Sequence, residues 1–487
     1  MSFASPSFLV FFAVVFLLAR SPIGWTVRKA ILLVASYAFY AAWNPPFVAL
    51  LWISTVVDFE AGRRLAVQQD GAGRRVWLGV SLTLNLGMLG FFKYGRFLSE
   101  SLAAVYEPFV AGTPQTEPSF FESIVLPVGI SFYTFQTLSY TLDIYFRKMQ
   151  PTRSLLDFAL YVAFFPQLVA GPIVRAERFL PQCEQPRRAS DSQLAWAAVL
   201  FVWGLFLKVV VADGIMAEVV EQAFAPTAAA GFGDVVVGTA AFASQIYGDF
   251  AGYSLCAIAT ALALGFSLPD NFRGPYGAIG FSDFWRRWHV SLSSWIRDYL
   301  YIPLGGNRRG PRRTFINLML TMTIAGLWHG AAWQFVLWGA LHGLLLCLER
   351  LLVRSRPIKP DDPTADWATT AASPWRLATW VGSAATFAAV CVTWIPFRAE
   401  SLDQTLHYYR LLLRPSGSLS LVEPVDAALA VGVTGLLFLF QTATRRCTLE
   451  SSLGRLPWPL LAVLVAGLLA MMLLTGGEDR SFLYFQF

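Results

Sequence analysis

The sequence predicts an all-α, polytopic membrane protein of about 11–12 transmembrane helices, with re-entrant and amphipathic helices besides. Three observations carry this. Of 487 residues, 56% are hydrophobic and only 14% charged. The apolar residues gather in runs near the roughly 20 that a bilayer-crossing helix needs. Lys and Arg cluster in short stretches between those runs, as they do in cytoplasmic loops. The formal net charge of +6 is therefore a topology signal and makes no case for nucleic acid. Five cysteines (Cys183, Cys256, Cys347, Cys391, Cys447) show no CxxC pair and mostly sit in apolar segments, so neither a disulfide framework nor a metal site is expected. Nothing marks off a soluble domain. Residues 1–487 read as one integral domain, with its core at about 124–352 and peripheral helices over 1–100 and 377–475.

In chain order the apolar runs predict spans at about 8–19, 30–43, 46–61, 76–95, 124–145, 193–212, 235–265, 314–329, 333–352, 377–396, 425–442 and 458–475. The first three are short, which suits tilted or local helices. The first lacks the basic residues that precede a secretory signal's apolar core, so it reads as a retained span. Charge orients the set. Arg20, Arg28 and Lys29, then Arg63, Arg64, Arg74 and Arg75, place the first and third loops inside. Arg308, Arg309, Arg312 and Arg313 are also inside, as are Arg350, Arg354, Arg356 and Lys359, and later Arg445, Arg446 and Arg455. The stretch from Leu98 to Ser123 holds four glutamates and no Lys or Arg; it reads as outside, as does the interval between Lys208 and Arg273. Both termini then lie outside. Basic residues flank 154–170 on both sides, so that segment is expected to enter and return, ending at Gly171-Pro172.

Chemistry concentrates between Ser282 and Gly343, which carries three of the four histidines. An ionisable group at the centre of a membrane helix costs roughly 2.5–3.5 kcal/mol for a charge on insertion scales, so several at membrane depth point to function. Phe284, Trp288, Ser291, Trp295 and Tyr299 recur at spacings of four and three, which predicts an amphipathic helix with Arg286, His289, Ser293 and Arg297 on its other stripe. His329 falls between two apolar runs and is flanked by Gly326 and Gly330, which permit close backbone approach or a turn. The charge map brings His289 in from the cytoplasmic side and puts His329 toward the outer end of its span. His342 suits a helix-packing hydrogen bond or a cavity role, and His407 is expected to be solvated. The run GGNRRGPRR offers four guanidinium groups to an anion such as a phosphate, or serves topology alone. Asp249, Asp283 and Asp298 are expected to pair with arginine.

The stretches LPVGISFYTFQTLSYTLDIY, FFPQLVAGPIVRAERFLPQ, NFRGPYGAIGFSDFWRRWH, LWHGAAWQFVLWGALHG and the final FLYFQF together resemble the membrane-bound O-acyltransferase family, in its bacterial polysaccharide-acetylating branch. The resemblance covers nearly the whole chain. It implies that His329 is the catalytic histidine and His289 a second polar site residue. Arg286, Trp328, Arg297, Asn307, Arg308 and Arg309 become candidates for binding the donor or substrate. It further implies acetyl transfer from cytosolic acetyl-coenzyme A, with no bound cofactor, across a bacterial inner membrane for O-acetylation of an alginate-type exopolysaccharide. A separate periplasmic partner would complete the transfer onto the sugar. One position departs from the branch: Leu255 stands where an acidic residue is customary. Three readings compete: D-alanyl transfer from a carrier protein to teichoic acid, acetylation of peptidoglycan or cellulose, and a polymer transporter or non-catalytic export scaffold.

Overall fold

The computed structural model describes residues 2–106, 120–226, 230–352, 376–414, 417–475 and 480–483, and all regular structure among them is helical. Residues 107–119 of the acidic stretch lie outside the described residues, as do Arg354, Arg356 and Lys359 of the basic stretch and 484–487 of the carboxyl-terminal motif. The chain divides into two compact units. One comprises Ser5–Leu194 with Thr260–Leu268, and the other Ser2–Ala4, Ala195–Ala259 and Pro269–Phe487.

The first unit holds α1 (Pro6–Arg20), α2 (Trp25–Ala41), α3 (Val48–Val67), α4 (Gly71–Phe92), α5 (Gly95–Tyr106), α6 (Ile130–Tyr145), α7 (Leu155–Ala163), α8 (Phe165–Leu168) and α9 (Ala176–Glu184). Helices α3, α4 and α6 meet around a wholly buried carboxylate, Asp58. Ser81 donates to it from α4, as does Asn85 Nδ2 at 2.7 Å, and Thr141 Oγ1 donates from α6 at 3.2 Å. In the apolar interior such a carboxylate stays only if donors saturate it, so these bonds fix the three helices to one another. Residues 154–170 form no continuous span. Ser154 Oγ caps α7 by accepting from the Asp157 N–H at 3.2 Å, and the helix breaks at Phe164. Its 9 residues reach about 14 Å, half a hydrocarbon core, as the expected re-entrant element would.

The second unit begins within α10 (Asp191–Phe206), which runs through a π-helical stretch, Leu207–Met216, into α11 (Ala217–Ala223). There follow α12 (Phe232–Ala263), the short α13 (Phe281–Trp285) and α14 (Val290–Ile296), then α15 (Gly310–His329) and α16 (Trp333–Leu352). The series closes with α17 (Leu377–Arg398), α18 (Leu402–Leu413), α19 (Pro424–Ala443), α20 (Leu449–Leu453) and α21 (Trp458–Thr475). The π-helical stretch carries a buried charge cluster: Lys208 Nζ lies 2.9 Å from Asp213 and 2.6 Å from Asp249 of α12. Asp249 thus pairs with lysine rather than the expected arginine. It also accepts the Leu483 N–H at 2.8 Å, which ties the carboxyl-terminal FLYFQF stretch to α12.

Helices occupy all twelve expected positions, but seven of them are both long and apolar enough to cross a bilayer among the described residues. The others fall short for identifiable reasons. Helices α1, α2 and α6 have 15, 17 and 16 residues. Within α3 stand Asp58, Glu60, Arg63 and Arg64, and α15 opens on Arg312 and Arg313.

Helices α15 and α16 form a hairpin whose backbones touch. A Cβ on Gly326 would overlap the Phe335 carbonyl oxygen, and one on Gly339 would overlap that of Met322. Only glycine on both helices lets them approach so closely. Gly339→Ala is expected to force the pair apart and lower stability by about 1–3 kcal/mol, the usual cost of overpacking. Unfolding of purified protein in detergent measures this. Gly435→Ala serves as the control, because nothing lies within 4 Å of a Cβ there, and it should leave the midpoint unlowered.

Candidate active site

His329 is the last residue of α15; Gly330 follows in an extended conformation and turns the chain toward α16. The ring is 3% exposed and enclosed by aromatic rings set nearly edge-on. The indole of Trp328 lies at 5.0 Å between centroids, that of Trp338 on α16 at 5.0 Å, and the ring of Phe397 on α17 at 5.4 Å. Trp338 is held there by the glycine contact between α15 and α16, because it directly precedes Gly339. This enclosure excludes water from the imidazole and leaves little dielectric screening around it.

His289 also packs near Trp328, 6.1 Å away between ring centroids. The single amphipathic helix expected over this stretch is not formed. The chain leaves α13 after Trp285 and resumes as α14 at Val290. Between them, groups that would have made helical rungs bond elsewhere: Arg273 N–H donates to the Arg287 carbonyl at 3.0 Å, and Val290 N–H to the Asn271 carbonyl at 2.9 Å. His289 itself takes a left-handed conformation, φ +42° and ψ +55°, one of two non-glycine residues with positive φ among the described residues. Such a conformation costs roughly 1–2 kcal/mol for an L-residue and persists where surrounding contacts impose it.

Those contacts surround the ring. His289 is wholly buried, with Phe250 of α12 edge-on at 4.6 Å and Phe272 stacked at 6.4 Å. Its Nδ1 lies 3.0 Å from Asn271 Oδ1. Burial pushes its pKa down to about 3, because desolvation disfavours the imidazolium, so the ring is neutral near pH 7. Phe250 also packs against Phe482 at 5.7 Å, which links the carboxyl-terminal segment to this histidine.

His342 completes a row of three histidines joined through indoles. Its ring lies 4.8 Å from Trp338 and 5.0 Å from Trp285. The packing role expected of it is present: Thr393 Oγ1 of α17 donates to the Val390 carbonyl at 2.7 Å and accepts from His342 Nε2–H at 2.9 Å. His407 stands apart, half-buried beside Tyr408 rather than fully solvated.

Of the residues expected at the site, His289, Trp328 and His329 are brought together. Arg286 is exposed. Its neighbour Arg287 is the buried guanidinium, 2.8 Å from Asp283, which also receives Arg445 at 3.1 Å. Arg297 is exposed and paired with Asp298 at 2.7 Å. Asn307, Arg308 and Arg309 project from an exposed turn before α15, outside the histidine row and open to an anion. Periodicity does not reveal Asn271, Trp338 and Phe397, which reach the histidines from other elements, or Ser254, which accepts from Asn271. The available signal for Asn271 was an amide set in the NFRGPY stretch between apolar runs.

The membrane-bound O-acyltransferase family model matches residues 122–391, which include His289, His329 and His342. The protein named "Probable alginate O-acetylase AlgI" from Azotobacter vinelandii is 40% identical over 84% of this chain and 77% of its own length. The peptidoglycan O-acetyltransferase of Helicobacter pylori is 34% identical over 78% of this chain and 72% of its own. The teichoic acid D-alanyltransferase of Streptococcus thermophilus is 28% identical over 51% of this chain and 61% of its own. A buried histidine row on a bundle of apolar helices, a family match over more than half the chain and these relatives lead to one conclusion: the chain belongs to the membrane-bound O-acyltransferase family and is a membrane-embedded O-acyltransferase.

Proposed function

We propose that this protein transfers an acetyl group from cytosolic acetyl-coenzyme A, through the bacterial inner membrane, for O-acetylation of an alginate-type exopolysaccharide. A periplasmic partner completes the transfer onto the sugar. The observation that carries the reading is His329, an imidazole at a helix end in a dry aromatic enclosure with a second histidine one indole away. The alginate O-acetylase relatives support the acceptor class.

In this reading the hydroxyl oxygen of the acceptor attacks the thioester carbonyl carbon while His329 takes the hydroxyl proton. A C–O bond forms, the tetrahedral intermediate collapses, the C–S bond breaks, and the proton passes to the departing thiolate of coenzyme A. His289, 6.1 Å from the Trp328 indole, is the second polar group of the site. The exposed Arg308 and Arg309, with Arg312 and Arg313 at the start of α15, take the phosphates of the donor on the cytoplasmic side.

The test uses protein in liposomes with labelled acetyl-coenzyme A outside, the cytoplasmic face outward, and acceptor with partner inside. Wild type should move label inward, and His329→Ala should lower the rate by about 10²- to 10⁴-fold, the usual worth of a positioned base. Equal transfer by His329→Ala would remove His329 from that role. Should wild type ignore acetyl-coenzyme A but accept D-alanine on a phosphopantetheine carrier, the donor assignment is wrong and the chain is a D-alanyltransferase.

The arginine turn gives a separate expectation. Arg308→Ala with Arg309→Ala should raise the KM for acetyl-coenzyme A about tenfold, equivalent to roughly 1.4 kcal/mol, with kcat held within twofold. Steady-state kinetics at two ionic strengths measure this, and the wild-type advantage should shrink as salt screens the phosphates.

A further inference from the structure

We propose that Asn271 is a positioning residue that fixes His289 as its Nδ1–H tautomer, with Ser254 and Ser291 fixing Asn271 in turn, so that His289 Nε2 carries the lone pair. As a statement about the reaction this rests on the acyl-transfer reading. As a statement about the ring it does not.

The orientation of the Asn271 amide follows from its partners. Asn271 is 1% exposed. The backbone N–H of Ser291 points at Oδ1 from 3.4 Å, and a backbone N–H can only donate, so that atom is the oxygen. Ser291 Oγ donates to the same oxygen at 2.8 Å. On the other side Nδ2 donates to Ser254 Oγ of α12 at 3.0 Å. The oxygen therefore faces His289 Nδ1 at 3.0 Å, and an unprotonated Nδ1 would set one lone pair against another. A neutral imidazole has one proton to place, and here it sits on Nδ1.

The same residue holds the main chain, since the Asn271 carbonyl accepts the Val290 N–H at 2.9 Å directly after the left-handed His289. Side chain and backbone of Asn271 thus impose the ring's proton and its strained conformation together. No carboxylate takes this place. On the elements that pack around the ring, Asp249 is paired with Lys208, Asp270 lies 3.8 Å from Arg273, and Asp283 is held by Arg287 and Arg445. Tyr247 of α12 packs on Phe272, and His329 adjoins Trp328, whose indole lies 6.1 Å from the His289 ring.

Nitrogen-15 spectra of histidine-labelled protein in nanodiscs read the tautomer without any assay. With four histidines in the chain, loss of signals in His289→Gln assigns the resonance. Wild type should show a protonated Nδ1 and a bare Nε2. Asn271→Ala should lose that bias, and Asn271→Asp should keep Nδ1 protonated. Kinetics add the positioning arm: Asn271→Ala should lower kcat about 10- to 100-fold with the donor KM unchanged, and should lower it no further in a His289→Gln background. A bare Nδ1 in wild type overturns the inference, and so does an Asn271→Ala effect as large without His289 as with it. Where Asn271→Ala does not fold, Ser254→Ala takes its place and should weaken the bias. If wild type transfers no acyl group at all, the proposed function falls while the spectra still decide the tautomer.

Discussion

The backbone contact between Gly326 and Gly339 is the constraint on which the rest of the site depends. It sets the distance between α15 and α16, and the residues just beyond it meet: His329 ends one helix and Trp338 precedes the second glycine. An indole packed edge-on to an imidazole at 5.0 Å needs that spacing, because an alanine at either glycine would force a Cβ into the opposite carbonyl oxygen. From Trp338 the enclosure spreads to Trp394 and Phe397 on α17 and to Phe284 and Trp288, which are buried in the same cluster. The apolar wall and the placement of His329 are one packing arrangement.

Buried polar groups follow a rule throughout this chain. Asp58 is saturated by donors from two neighbouring helices, Lys208 bridges two aspartates, and Asp283 receives two arginines. In each case the pair or network joins separate segments of the chain, so the same bonds that make burial tolerable also specify which segments adjoin. His289 differs in that its partner is a neutral amide. A carboxylate there would favour the charged imidazolium, whereas an amide oxygen orients the ring and leaves it uncharged.

The sequence made His329 legible because its signals are local: a histidine between glycines at the junction of two apolar runs can be read without tertiary structure. The helices were legible for the same reason, since apolar runs are contiguous. His289 was legible as a residue but not as a conformation. The spacing of Phe284, Trp288, Ser291, Trp295 and Tyr299 is helical, yet the helix breaks because Asn271 and Arg273 claim backbone groups from a segment that periodicity does not see. Once the helix breaks, the expected polar stripe dissolves. Arg286 is left exposed and Arg287, which the pattern passed over, is the buried one. The arginine turn around Asn307 was legible as charge alone; its exposure is what the fold adds.

Helix α21 bears on the surrounding lipid. It has 18 residues, of which Leu468 alone is buried within the protein, so most of its surface is left for lipid. At 1.5 Å per residue it measures about 27 Å, close to the thickness of a typical hydrocarbon core. Trp458, 80% exposed at its first position, suits the lipid headgroup boundary. A helix with so few protein contacts has little to hold it against mismatch, so a thicker bilayer would thin locally around it and a thinner one would tilt it. Hydrophobic thickness thereby becomes a mechanical load on the π-helical stretch that α21 packs against, and bilayer composition becomes a physical variable of this enzyme.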